Sequence, residues 1–395
     1  MLSLMRACVP ALLLALTPAA QTPRVALTGY AEMAAETFAP GPPSGAWLRA
    51  GKEGVSQFAT QPVQGFSALW PADNTGVSWW VLADNGFGAK INSSDVLLRI
   101  YKMRITWATE RAEGTGRVVM DPVFIQLADP AGKLPFPIAR GATKERWLTG
   151  ADLDPESFVR MPDGSFWIGE EFGPYVVHVS ATGTVLAPPV EIAGLRSPDH
   201  PHLQAADAGQ TGAATVQRSR GFESLAAGPA FTTLYPALES DPPKSERRMY
   251  AFDAARNAFT GASWTVPLEE EALTELVGLE PIFGKVCADR FLGVARDAGQ
   301  GATAKMKAVY ELHVADTALV RTLVADLLDI VNPRGLGNHP ARFTFPYVTT
   351  EAVWPVDRST LVLVNDNNFP GGAGRPGTAR DRTEFIRLRL PRPLC

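Results

Sequence analysis

An all-β chain folded as a β-propeller of six or seven four-stranded blades is what three features of this sequence predict. Gly (35) and Pro (33) are frequent among the 395 residues, and both interrupt helices. Short apolar runs are divided by turn signals, as where SFVRM and SFWIG flank Pro162-Asp163-Gly164, which is the pattern of a β-hairpin. Acidic residues recur at the open ends of such hairpins, and the leading members of the five pairs, Ser67 and the acids at 156, 223, 275 and 351, lie 52 to 89 residues apart. A blade takes roughly 40 to 50 residues, so these intervals fit blades with insertions, and residues 21–395 read as one domain.

The first twenty residues stand apart. Arg6 is followed by an apolar run from Ala7 to Leu16 and then by small residues to Ala20, the layout of a secretory signal peptide. That run is shorter than the roughly 20 apolar residues a membrane span requires, and Cys8 lies too close behind Arg6 for an acylation site. The expected product is secreted or periplasmic, without a membrane anchor. A formal charge of −4, from 37 basic and 41 acidic residues, gives no positive field for a phosphate backbone. Nucleic acid is therefore not an expected partner, and the chain is expected to act as a monomer. Cys287 and Cys395 either bridge in an oxidising compartment or remain one buried and one terminal thiol, and the sequence leaves both open.

The hairpins then follow in order. Ser67 and Asp84 centre on the Asp73-to-Gly76 turn, with a serine where the later hairpins have an acid. Glu156 and Glu171 centre on Asp163-Gly164 and should face each other across the open end, with Glu170 beside them. Glu223 and Glu239 centre on the GPAFTT turn, and Glu351 and Asp366 on the turn from Val356 to Thr360. Glu275 and Asp297 form the weakest pair, because the segment between them is longer and irregular. Helix is sparse: residues 269–278 read as a short amphipathic helix through Leu273, Leu276 and Val277, and Thr317 to Val331 is ambiguous.

Carboxylates gathered at one end of successive hairpins repel one another and raise each other's pKa, so a positive charge belongs among them. An oxygen-rich set suits Ca²⁺, which takes six to eight oxygen ligands, and Asp84-Asn85 and the run from Asn365 to Asn368 supply such oxygens. Arg220 and Arg296 accompany the acids and can grip a phosphate bidentately. A single acid after a strand caps a turn more often than it binds a metal; the recurrence of the set is what argues for a site. The His200-Pro201-His202 loop reads as solvent-exposed, the isolated His178, His313 and His339 as structural, and Trp79, Trp80, Trp167 and Trp354 as core. No nucleophile elbow, P-loop or zinc-protease helix motif occurs, which favours metal-activated water.

The segments LTGADLDPESFVRMPDGSFWIGEEFGPYVVHV, LRSPDHPHL, SRGFESLAAGPAFTTLYPALES, ARDAGQGATAKMKAVYEL and TFPYVTTEAVWPVDRSTLVLVNDNNFPGGAGR, in that order, resemble the esterase-like phytase family over about Gln64 to Leu390. The resemblance implies an exported propeller whose acidic residues carry phosphoester hydrolysis, and it falls on Asp152, Glu156, Glu170, Glu171, Glu223, Glu239, Asp297, Glu351 and Asp366, with Asn365 and Asn367 beside the last. The family pattern Glu-Arg-Asp reads Ala295-Arg296-Asp297 here, so one motif carboxylate is missing. The expected function is hydrolysis of a small-molecule phosphoester. Asp84, Asp152, Glu156, Glu170, Glu239, Asp297, Glu351, Asn365, Asp366 and Asn367 would hold Ca²⁺ or another divalent metal, Glu171 or Glu223 would act as base, and Arg220 and Arg296 would stabilise developing charge. The alternatives are a calcium-dependent lactonase-type propeller hydrolase and a non-catalytic ligand-binding propeller.

Overall fold

The computed structural model describes residues 24–48, 54–109, 116–203, 214–239, 247–268 and 271–395. The signal-peptide expectation for residues 1–20 lies outside them. Strands dominate, and they fall into five antiparallel four-stranded meanders. The first four begin with Phe66–Pro71, Pro155–Arg160, Phe222–Ala227 and Ala272–Gly278. The fifth begins with Thr350–Asp357, continues through Thr360–Asn365 and Thr383–Arg389, and takes its outer strand from the other end of the chain, Ala26–Met33. The five leading strands lie side by side in cyclic order, the fifth returning to the first, which is the arrangement of a propeller around a channel. The number among the described residues is five, not six or seven. The long intervals between hairpins are connections, such as the turns and isolated bridges between Gln126 and Pro155, rather than further blades.

Residues 272–278, read from the sequence as part of a helix, form the inner strand of the fourth meander; positions 269–270 lie outside the described residues. All seven strand residues are buried. A strand covered on both faces loses the polar alternation that marks a strand, and over so short a run helical and extended spacing cannot be told apart. The ambiguous stretch from Thr317 resolves into the strands Ala318–Asp326 and Ile330–Val331. Apolar side chains fill the spaces between neighbouring meanders, with Trp79, Trp167 and Trp354 among them.

Cys287 and Cys395 are bridged, tying the chain's last residue to the turn region of the fourth meander. Their separation of 108 residues constrains a long loop of the unfolded chain. Cys287→Ser is therefore expected to lower unfolding stability by about 2–5 kcal/mol, read by denaturant titration without reductant. An unchanged midpoint would mean that the bridge does not stabilise the protein.

Candidate active site

One structural device repeats in the leading strands. In each, the register with the second strand slips by one residue, a β-bulge, and the extra residues are Ser67, Glu156, Glu223, Thr274 and Glu351. A bulge re-aims a side chain out of the pleat, and four of these five residues line a single cavity at one end of the channel. The residue following the second strand of the same hairpins supplies Asp84, Glu171, Glu239 and Asp366 to that cavity. Each of these acids also anchors the hairpin mouth, its backbone N–H donating to the carbonyl two residues before the bulge: Gly65, Asp154, Gly221 and Thr349 respectively. Gly65 and Gly221 cannot be exchanged for larger residues, because a Cβ there would lie 2.0 Å from Asp84 and 2.4 Å from Glu171.

The fourth hairpin departs from this pattern. Asp297 sends its N–H to the carbonyl of Met306, outside the hairpin, and its carboxylate takes the N–H of Lys305 at 2.8 Å and the Lys307 ammonium at 2.9 Å. Although partial burial pushes its pKa up, Lys307 and these donors hold it below the usual carboxylate range. Glu275 follows the bulge instead of occupying it, and accepts a hydrogen bond from its neighbour Leu276. The pair expected at Glu275 and Asp297 is thus not brought together at the cavity, and Arg296 reaches in instead. Ala295 packs in a hydrophobic cluster with Leu273, Leu276 and Leu312, so the family carboxylate missing there is not a gap in the cavity wall.

Other expected site residues hold the backbone rather than the cavity. Asp152 caps a turn through the N–H groups of Thr149 and Ala139. Glu170 accepts from the N–H groups of Phe172, Gly173 and Tyr175, and burial pushes its pKa up to about 7 against those bonds. Asn365 bridges the carbonyls of Asp366 and Arg382 and the N–H of Glu384, and Asn367 accepts from Phe369. Arg220 pairs with Glu239 without lining the cavity. His200, read as solvent-exposed, is fully buried, its Nε2 between Glu191 (2.8 Å) and the Tyr175 hydroxyl (3.1 Å). Asp154, Ser219 and Thr349 line the cavity and were not expected there, and Asn368, from the oxygen-rich run, joins them. Asp154 and Thr349 were legible in hindsight: each lies two residues before a bulged acid, where the first and third hairpins carry glycine.

The cavity has a volume of about 160 Å³. Eight carboxylates face it: Asp84, Asp154, Glu156, Glu171, Glu223, Glu239, Glu351 and Asp366. Against them stands Arg296, whose Nη2 lies 3.4 Å from Glu239 and 3.5 Å from Glu351. Burial comes first among the causes that raise the carboxyl pKa values, followed for Asp84, Glu156, Glu171 and Glu223 by the neighbouring acids, which push these four well above the ordinary range. Asp154 and Asp366 rise to about 6 and Glu351 to about 7, chiefly through burial. Burial disfavours the Arg296 charge, yet Glu351, Glu239, Glu223 and Glu156 outweigh it and keep the guanidinium protonated.

Among the described residues two oxygen sets come within 4.8 Å, Asp154–Glu156–Glu171 and Glu171–Glu223–Glu239, and both could hold a metal ion. The donors are hard oxygens, with no histidine or cysteine on the lining, which fits Ca²⁺ or Mg²⁺ rather than zinc. Glu351 Oε2, on a residue only 3% exposed, has no hydrogen-bond partner. A buried orphan acceptor is costly unless something positive meets it.

These shifts fix a sign. A carboxyl whose folded pKa is raised contributes stability that is present below the ordinary carboxyl pKa of about 4 and lost as pH rises through the folded value. With chelator present, the melting temperature is therefore expected to fall between pH 5 and pH 8, as Asp154, Asp366 and Glu351 ionise at about 6 to 7. Added Ca²⁺ should flatten that decline. A chelated protein equally stable at both pH values would contradict the repulsion described here.

Comparison with known proteins gives one family and several distant folds. A family model described as "Phytase-like: Esterase-like activity of phytase" matches residues 61–369. No curated protein matches. Among solved structures, a periplasmic gluconolactonase of Pseudomonas aeruginosa is 12% identical with a TM-score of 0.35, covering 92% of this chain and 99% of that one. A PQQ-bound aldose sugar dehydrogenase of Streptomyces coelicolor is 12% identical at a TM-score of 0.35, covering 84% and 95%. A calcium-binding regucalcin of Agrobacterium tumefaciens is 13% identical at a TM-score of 0.33, covering 85% and 94%.

Proposed function

The chain belongs to the Phytase-like family, and from that premise we propose that it is an exported phosphoester hydrolase working with a divalent cation, Ca²⁺ foremost, in the carboxylate cavity. The observation that supports this most directly is Arg296 among the acids. Its Nε has no hydrogen-bond partner and its distances to Glu239 and Glu351 exceed those of a tight charge-assisted bond, so its planar fork is available to phosphoryl oxygens. Export accords with the disulfide. No helix of the described residues is long and apolar enough to cross a membrane.

The cation would be held by Asp154, Glu156, Glu171, Glu223 and Glu239, and when bound it supplies charge neutralisation and acidifies a water ligand. The protein's own part is positioning and proton transfer. Glu171 and Glu223 belong to one oxygen set within 4.8 Å and Glu171 pushes the Glu223 carboxyl up, so without a cation one of the two holds a proton, and either is placed to take the proton of an attacking water. Arg296 orients the phosphoryl group and meets the charge that builds on its oxygens, while Arg220 fixes Glu239 from outside the cavity. Asp84 and Asp366, with Thr349 and Asn368, close the opposite wall.

The test is turnover of a panel of phosphate mono- and diesters, followed by alcohol release, with Ca²⁺, Mg²⁺ or Mn²⁺ and after chelation. Cation-dependent release is the expected result. No release from any ester, with saturable Ca²⁺ binding intact, would leave a binding propeller. Opening of lactones without phosphoester cleavage would make the protein a lactonase.

A further inference from the structure

The channel holds a second cavity, of about 220 Å³, which shares no lining residue with the carboxylate one. The same five leading strands build it from positions two or three residues beyond their bulges: Trp70 beyond Ser67, Phe158 beyond Glu156, Leu225 beyond Glu223, Leu276 beyond Thr274 and Trp354 beyond Glu351. At ~3.3 Å of rise per residue, this cavity lies roughly 7–10 Å further along the channel. Phe231, from the turn after the third leading strand, and Pro281 and Ile282, after the fourth, line it from the strand ends.

The wall is apolar with a single exception. Four aromatic rings meet there, the Trp70 ring centroid lying 4.5 Å from that of Trp354 and 6.4 Å from those of Phe158 and Phe231. Aliphatic side chains, glycine and proline make up the rest, apart from Glu275. That residue is only 4% exposed, and the bulge at Thr274 turns it out of the carboxylate cavity and onto this wall. Among the described residues its carboxyl accepts one hydrogen bond, from the Leu276 N–H to Oε1 at 2.9 Å, and no basic side chain pairs with it. The charged neighbour that acts on it is a second acid, Glu351. A carboxylate so placed is costly until a positive group meets it.

We propose that this second cavity binds a small organic ammonium ion, whose charge meets Glu275 while its apolar part rests against the aromatic rings. Aromatic faces attract a cation and bury apolar surface at once. A hard metal ion is a poor occupant, because it needs several oxygen ligands and the lining offers one carboxyl. An anion would meet Glu275 with no cation on the wall to offset it. The inference does not depend on the hydrolase reading, since the two cavities have no residue in common.

The experiment titrates the purified protein, saturated with Ca²⁺ so that the acids of the other cavity are engaged, with benzylammonium, benzyl alcohol and phenylacetate at pH 7.5. Calorimetry reads the binding, and so does tryptophan fluorescence, because Trp70 and Trp354 line the cavity. The expected result is saturable binding of benzylammonium, about tenfold or more tighter than benzyl alcohol, and no binding of phenylacetate. Glu275→Gln, whose amide oxygen can still accept from Leu276, is expected to weaken benzylammonium binding by about 10- to 100-fold and to leave that of benzyl alcohol unchanged. Phe231→Leu, on a turn rather than in a strand, is expected to weaken benzylammonium binding by about threefold, and it carries the test should the first variant fail to fold. Glu171→Gln, in the other cavity, is expected to leave benzylammonium binding as it is. Alcohol or phenylacetate binding as tight as that of the ammonium, ammonium binding lost in Glu171→Gln but kept in Glu275→Gln, or no ammonium binding at all would overturn the inference.

Discussion

Glu171→Gln is expected to lower phosphoester kcat/KM by roughly 10²- to 10⁴-fold, the range for loss of a catalytic acid–base group, while raising the melting temperature of the chelated protein. The two effects have one cause. Glu171 belongs to both oxygen sets of the cavity, and burial together with Asp154 and Glu239 pushes its carboxyl well above the usual range. Glutamine keeps the size of the side chain, and its amide oxygen can still accept from the N–H of Gly221, which Glu171 Oε1 meets at 2.9 Å. What it removes is a charge that repels its neighbours and a group that binds cations and protons. The Ca²⁺-induced rise in melting temperature should shrink in the variant, because stabilisation by a ligand follows its affinity for the folded state. Activity above a tenth of wild type, or undiminished Ca²⁺ stabilisation, would take Glu171 out of the site.

Arg296→Lys is expected to slow phosphoester turnover by about tenfold to a hundredfold, or ~1.4–2.8 kcal/mol of transition-state stabilisation, with nearly normal Ca²⁺ stabilisation. Lysine keeps the charge that offsets Glu239 and Glu351 and loses the planar fork. If Arg296 serves only as a structural partner of those acids, the variant loses stability instead and turns over at the wild-type rate once folded. Arg296→Met separates the two roles further. It leaves the two glutamates without their guanidinium, a change that costs about 3–5 kcal/mol when one member of a buried pair is removed, and Ca²⁺ should recover part of that loss.

The hairpin centres were legible because a turn and its two strands are local, so symmetric placement of Glu156 and Glu171 about Asp163-Gly164 implies that they meet. The same reasoning holds for Ser67 with Asp84, Glu223 with Glu239, and Glu351 with Asp366. It fails at Glu275 because a bulge adds one residue to one strand without altering composition, and the slip at Thr274 turns Glu275 away. Asp297 was misplaced for a different reason: Lys305 and Lys307, ten residues or fewer downstream, draw it out of line with the others. Asp152 and Asp154 lie two residues apart in an acidic stretch, and long-range bonds distinguish the cavity residue from the turn cap: the Glu171 N–H donates to the Asp154 carbonyl, and the Asn85 N–H and amide donate to its carboxylate. His200 lies in a loop as expected, and it is buried rather than exposed because its partners, Glu191 and Tyr175, come from strands that composition does not connect to it.

The closure of the ring by Ala26–Met33 has a mechanical meaning. Like charges held inside a ring push outward, and the push is borne in tension around the circumference, as in a hoop. All five joints between meanders are spanned by continuous chain, and the seam where the first and last strands meet lies inside the fifth meander. There the Ala26–Met33 strand is hydrogen-bonded along Thr383–Arg389 of the fifth meander and touches the first meander through Glu32 and Arg117, acting as a clasp. The Cys287–Cys395 bridge rivets the tail beyond that seam to the fourth meander. Strain from the acid cavity is thus carried to the place most remote from it in sequence, and loading the cavity with cations should slacken the clasp. Amide exchange in Ala26–Met33 would then slow when Ca²⁺ is added, although no residue of that strand faces the cavity.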